Sequence, residues 1–215
     1  SESHPISNKD DNSIVTSPAD SVPQGVWKIN GNGQLNKNVK VKLLDYKNIH
    51  VDLLQGSKYA NEFANGTLTH AFLNVNDYHR YHYPLTGEVI EHHTVTRGVT
   101  LSVTWSEQEK KFIPNDSLGW QYKQTHAYAI LKTEKYGLVA LIPMGMAQVS
   151  SCNLTWPILG HHNKGEGLGN FLFGGSDFMM LFQSKVKFTM MAPKNDDGTY
   201  KHILMGEKYG KLSII

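Results

Sequence analysis

The chain has little cysteine, no long apolar run and almost no charge imbalance, and each shortage closes off a class of protein. A single cysteine, Cys152, excludes any disulfide within the chain and says nothing about compartment. Twenty-one basic residues against 19 acidic ones give a net charge of +2, so there is no electrostatic footprint for nucleic acid. No stretch reaches the roughly 18 apolar residues of a membrane helix; the longest candidate, residues 137–149, is too short and contains Pro143. No signal peptide is visible at Ser1, and the Asn-X-Ser/Thr triplets at Asn65, Asn115 and Asn153 are weak signals of secretion. The chain as given therefore reads as soluble, with a cytoplasmic or membrane-peripheral placement expected. Asn30-Gly31-Asn32-Gly33 is not a dinucleotide fingerprint, because the third glycine and the strand–glycine–helix unit are missing. Internal repeats and low-complexity tracts are absent as well.

What is present suits one domain of 215 residues. Residues 1–13 are polar and charged with nothing to bury, so this segment is expected to be flexible, with residues 14–215 forming the domain. Short apolar runs predict strands at 14–16, 26–29, 39–43, 70–75, 88–91, 99–105, 127–131, 138–143 and 178–182. The spacing of Ile49, Leu53, Leu54, Tyr59 and Phe63 predicts one or two helical turns, broken near Gly56, and residues 106–119 read as a polar loop. Short strands punctuated by glycine and proline predict a mainly β fold, a β-sandwich or partly closed barrel with a few short helices; an α+β arrangement is the alternative.

Two stretches carry chemistry. In residues 164–177 (KGEGLGNFLFGGSD), glycines crowd one side of Ser176, so the backbone can turn tightly and admit close approach to its hydroxyl. In residues 76–84 (NDYHRYHYP), His79 and His82 lie three apart among tyrosines. A metal would need further ligands, and His92-His93 and His161-His162 are the remaining histidine clusters, so no metal is expected. Pro18 pushes Ser17 to extended geometry and places Asp20 on a defined turn. A histidine beside an aspartate and a serine is the equipment for activating a nucleophile, which makes Asp20, His82 and Ser176 the candidate set. The plainer reading is a glycine-rich turn with an incidental serine, and histidines that stack on tyrosines.

Residues 72–89 (FLNVNDYHRYHYPLTGEV) closely resemble the sequence around the two histidines of phosphatidylserine decarboxylases. Phe173-Gly174-Gly175-Ser176 resembles their self-cleavage site, Ser17-Pro18-Ala19-Asp20 their SPADG motif, and Ile142-Pro143-Met144-Gly145 their apolar strand ending in Val-Gly or Ile-Gly. The four motifs stand in the family's order from about residue 14 to about residue 190. The resemblance implies that Ser176 attacks the carbonyl of Gly175, with His82 as general base and Asp20 holding its imidazole. Cleavage between Gly175 and Ser176 would leave a large and a small chain, and Ser176 would become a pyruvoyl cofactor. That group would form a Schiff base with the amine of a substrate and draw off its α-carboxylate as carbon dioxide. His79 would return the proton, with Tyr78 and Tyr81 as wall residues.

Some positions depart from the family. Ser21 replaces the SPADG glycine, Gly167 an acidic residue, and Thr125-His126 an asparagine/arginine-type position; Asp177 follows the serine where Ser or Thr is usual. A carboxylate at 177 could disturb the ester intermediate or assist proton transfer. The resemblance implies a serine phospholipid or a free, for example aromatic, amino acid as substrate, the latter from a soluble branch that includes a fungal tryptophan decarboxylase. Association into a homodimer is left open. Two rivals stand beside the enzyme: a pseudoenzyme that keeps the fold without processing, and a binding module. The Lys164-Gly165 turn also resembles the hairpin of lipoyl- and biotinyl-type carriers, which need a lysine at the hairpin tip.

Overall fold

Alternating apolar residues assemble a seven-stranded antiparallel sheet that carries everything else. Its strands are β2 (Val22–Lys28), β3 (Thr67–Leu73), β5 (Gly87–Val95), β8 (His126–Lys132), β9 (Leu138–Met144), β11 (Gly160–His162) and β13 (Ser176–Phe182), in the order β11-β5-β8-β9-β13-β3-β2. The computed structural model describes residues 5–35, 48–74, 77, 80–95, 103–106, 111–114, 126–144, 152–154, 159–171 and 176–215. Two small sheets accompany the large one: β1 (Ile14–Thr16), β15 (Lys208–Ile214) and β14 (Val186–Met190) in the order β1-β15-β14, and β10 (Cys152–Leu154), β12 (Gly167–Phe171) and β4 (Arg80–His82) in the order β10-β12-β4. β6 (Val103–Ser106) and β7 (Lys111–Pro114) pair with each other. Among the described residues helix is confined to α1 (Ile49–Leu53) and a 3-10 turn at Ala60–Phe63.

The central strands β9 and β13 feed two cores. Phe178, Met180, Phe182, Val139 and Leu141 point into one, with Val15, Tyr81, Leu168, Phe188, Tyr209 and Leu212 from the small sheets. Met179, Leu181, Ala140 and Ile142 point into the other, where Ile49, Leu53 and Phe63 of the helical segment cover them. A strand buried on both faces has no polar alternation, which explains the unbroken run Phe178-Met179-Met180-Leu181-Phe182. The fold is mainly β, as expected, with little helix. Gly56 interrupts the helical segment by adopting φ +86°, a conformation that a side chain resists.

One expectation needs correction. Residues 111–114, read as part of a loop, form β7, because Phe112 and Ile113 lie opposite Trp105 and Thr104 in the ladder. Residues 5–13 of the N-terminal segment make hydrogen bonds to distant parts of the chain. Ser7 N–H donates to Gly206 O at 2.9 Å, and Asn12 exchanges two bonds with the Thr86 backbone at 2.6 and 2.9 Å. These anchors lie far away in sequence, so local polarity could not reveal them. The strand expected at 39–43 lies outside the described residues, as does the first part of 99–105. β4, β10, β11, β12, β14 and β15 were not predicted, being short, glycine-rich or half exposed.

Leu181 has no solvent exposure, whereas Ile215 is 75 % exposed. Leu181→Ala is expected to cost about 2–5 kcal/mol through lost transfer energy and a residual cavity. Ile215→Ala is expected to stay within about 0.5 kcal/mol. Thermal unfolding of the two variants checks the contrast.

Candidate active site

β4 is held from both sides. Its backbone pairs with β12, setting His82 against Gly167 and Tyr81 against Gly169, and His82 N–H donates to Pro18 O at 2.7 Å. The second bond brings the Ser17–Asp20 turn against the histidine strand. The ring of Tyr81, fully buried, packs tilted on Phe178 at 5.9 Å between centroids. That contact ties the residue before His82 to the residue two after Ser176. Three segments far apart in sequence thus meet: the Asp20 turn, the His82 strand and the head of β13.

The imidazole of His82 is oriented by a backbone carbonyl. Its Nδ1 lies 3.0 Å from Gly165 O. A carbonyl only accepts, so Nδ1 carries a proton, and in the neutral form of the ring the lone pair lies at Nε2. That is the form a general base needs. Gly165 can present its carbonyl there because it adopts φ +87°, while its N–H donates to Tyr83 O at 2.8 Å. Tyr83 N–H returns a bond to Glu166 O at 2.9 Å, and the Tyr83 ring stacks on His162 at 4.4 Å. Burial pushes the Tyr83 hydroxyl well above its usual range, with Glu166 adding to the shift.

Side chains clasp the same turn. Glu166 accepts from Asn163 Nδ2 at 2.7 Å and from His162 Nδ1 at 3.3 Å. Burial pushes its carboxyl up, but the Asn163 and His162 bonds outweigh that and hold it below its ordinary 4.5. Next to it Lys164 is 1 % exposed, and its ammonium donates to the carbonyls of Asn8, Asp11 and Ile14 at 2.8, 2.7 and 2.7 Å. Burial pushes that ammonium down to about 8, with Asp11 and Asp10 opposing the shift. A lysine so enclosed cannot carry a lipoyl or biotinyl group, which removes the carrier-domain reading.

The other site residues fall as follows. Asp20 is half-buried, and its Oδ1 accepts from Met205 N–H at 2.8 Å. Ser176 is the first residue of β13 and pairs with Leu73 of β3. Gly175, Tyr78 and His79 lie outside the described residues. Tyr81 belongs to the core cluster on the β13 side rather than to an open surface. Asp177 is buried, and its Oδ1 lies 2.6 Å from His70 Nε2 on the neighbouring strand, so its carboxylate is engaged by a partner that sequence spacing did not suggest. Ser21, in place of a glycine, is buried in a bridge to Ile203. The sequence reading missed Gly165 O, the Lys164 ammonium, His70 and the Met205 N–H. A lysine leading a glycine-rich turn was the one visible signal among them.

Comparison with known proteins identifies the family. Residues 1–211 match the sequence profile of the phosphatidylserine decarboxylase family, and the chain belongs to that family. It is 33 % identical over 196 residues to a phosphatidylserine decarboxylase proenzyme of Fusobacterium nucleatum, covering 81 % of this chain and 63 % of the relative. A phosphatidylserine decarboxylase proenzyme of Clostridium tetani is 28 % identical over 200 residues, covering 92 % of this chain and 63 % of the relative. An L-tryptophan decarboxylase of Psilocybe cubensis is 28 % identical over 163 residues, covering 68 % of this chain and 36 % of the relative. The chain thus spans less than two thirds of the length of each of these relatives.

Two outcomes follow from the side-chain pairs. His70→Ala leaves the Asp177 carboxylate buried without its partner and is expected to cost about 3–5 kcal/mol, read as a lower melting temperature. Asp177→Asn, which keeps a polar group opposite His70, is expected to cost less. The Glu166 clasp sets the sign of an acid effect. A carboxyl held below its ordinary value contributes stability at pH above 4.5, which is lost as pH falls through the lowered value. Glu166→Gln is expected to flatten the acid limb of a melting-temperature profile.

Proposed function

We propose that this chain is a self-cleaving, pyruvoyl-dependent decarboxylase acting on an amine-bearing substrate with an α-carboxylate, either a serine phospholipid or a free amino acid. Family membership supports the class. The observation that carries the chemistry is the His82 Nδ1–Gly165 bond, which leaves Nε2 as the proton acceptor on a strand packed against the head of β13.

In the first step Ser176 Oγ attacks the carbonyl carbon of Gly175 and His82 takes the hydroxyl proton. The Gly175–Ser176 C–N bond breaks, the Ser176 nitrogen takes up a proton, and an ester joins the two residues. Loss of the Ser176 Cα proton then breaks the Cβ–O bond and frees Gly175 as a carboxylate. Water converts the remaining dehydroalanine to a pyruvoyl group and releases ammonia. Asp20, on the turn that binds β4 through Pro18, is the carboxylate of the set and favours the protonated imidazole by its charge. Gly165 O rather than Asp20 makes the bond that fixes the tautomer.

The residues present fit that group: a serine heads a strand paired on both sides, with a histidine strand packed on the same element. The pyruvoyl carbonyl supplies an electron sink for the bond to the departing carboxylate. His79 is assigned proton delivery to the substrate carbon, and Tyr78 and Tyr81 the enclosure of the site.

β13 lies between β9 and β3, and β15 pairs with β1. A break before Ser176 therefore leaves the small chain bonded within two sheets. The large and small chains are expected to co-elute under native conditions and separate only in denaturant.

Intact mass under denaturing, reducing conditions tests the reading. Two chains divided at Gly175/Ser176, the small one blocked by pyruvoyl, are expected, against one 24.1 kDa chain for Ser176→Ala. A single full-length wild-type chain without hydroxylamine reactivity would mean a pseudoenzyme. Carbon dioxide release from phosphatidylserine vesicles or from free tryptophan distinguishes the two substrate classes.

A further inference from the structure

Lys164 joins two parts of the molecule that no strand ladder connects. Its ammonium gathers three backbone carbonyls, those of Asn8, Asp11 and Ile14, in an enclosed pocket. Its own backbone N–H donates to Thr86 Oγ1 at 3.0 Å. The next residue is Gly165, whose carbonyl receives the His82 Nδ1 proton. The N-terminal segment also backs this turn sterically, since a Cβ at position 165 would stand 2.6 Å from Ile6 Cγ1. Ammonium, turn and Ile6 together leave the carbonyl little room to swing away from the imidazole.

We propose that Lys164 is a positioning residue for self-cleavage: clamped by residues 8–14, it holds the Gly165 carbonyl on His82 Nδ1 and so keeps Nε2 free of its proton. The inference rests on His82 acting as general base. The physical case is one of alternatives. Three charge-assisted bonds to a buried ammonium cannot be replaced by water, so the turn has one satisfied arrangement. Without the ammonium those carbonyls are left unpaired, residues 5–14 lift, and Gly165 O loses its fixed place. His82 would then sample both tautomers, and the one protonated at Nε2 cannot accept the serine proton. The segment 5–14 is accordingly part of the processing apparatus although it supplies no reacting atom.

The test compares the full chain with Lys164→Met, which keeps the aliphatic stem and removes the charge and donors. Self-cleavage is followed by intact mass, and folding by circular dichroism and thermal unfolding. The His82 tautomer is read from ring 15N shifts in the uncleaved Ser176→Ala background. The expected result is at least a tenfold slower cleavage by the folded Lys164→Met chain, with Nε2–H signal appearing at His82. Wild-type cleavage and an unchanged Nδ1–H tautomer in a folded Lys164→Met chain would overturn the proposal, even if its melting temperature fell. Should that variant not fold, Ile6→Ala leaves the ammonium and its three carbonyls in place and opens the contacts of the Ile6 side chain with Gly165 and Gly206. It is expected to slow cleavage severalfold and loosen the tautomer, and no change in either would sink the idea. If the wild-type chain does not cleave, the proposed function fails, while the tautomer measurement still decides on Lys164.

Discussion

A strand buried on both faces and paired on both edges is the constraint on which the structure depends. β13 gives Phe178, Met180 and Phe182 to one core and Met179 and Leu181 to the other, and it bonds to β3 and β9 along its length. Its first residue is Ser176. A chain break at the head of such a strand costs little, because the ladders and both cores hold the remainder in place. The same placement lets a new chain terminus sit inside a folded domain instead of fraying at its surface.

Around that strand the site is built by backbone groups as much as by side chains. Pro18 O receives the His82 N–H, Gly165 O receives its Nδ1–H, and Met205 N–H serves the Asp20 carboxylate. Main-chain partners of this kind have few soft torsions, so they fix orientation at low entropic cost. They also spread the candidate site over the chain, since Pro18, Gly165 and Met205 supply the partners of His82 and Asp20. The family's departure at Asp177 fits this frame. Its carboxylate is spent on His70 and stabilises the start of β13.

Among the described residues, the buried Asp177 carboxylate and the buried Lys164 ammonium each meet partners. The Asp177–His70 contact at 2.6 Å and the Lys164 ammonium with three carbonyls each bridge segments distant in sequence. Buried groups of this sort add less net stability than an apolar replacement can, but they penalise wrong arrangements heavily. One pins β13 to its neighbour, and the other pins the N-terminal segment to the turn beside His82.

The amino-acid sequence by itself determined the fold class, most central strands and the segments that converge on the site, because apolar periodicity and four ordered motifs are local properties. β8, β9 and β13 were legible from their apolar runs, and motifs marked Asp20, His82 and Ser176 as candidates. Only the tertiary structure decided which atoms those residues meet. Periodicity cannot show that Gly165 O orients His82, that Asp177 faces His70, or that Lys164 reaches residues 8–14, since each contact spans at least 83 positions along the chain. The partners of the polar segment 5–13 were hidden for the same reason: they are backbone N–H and carbonyl groups and a single distant ammonium, which leave no trace in composition.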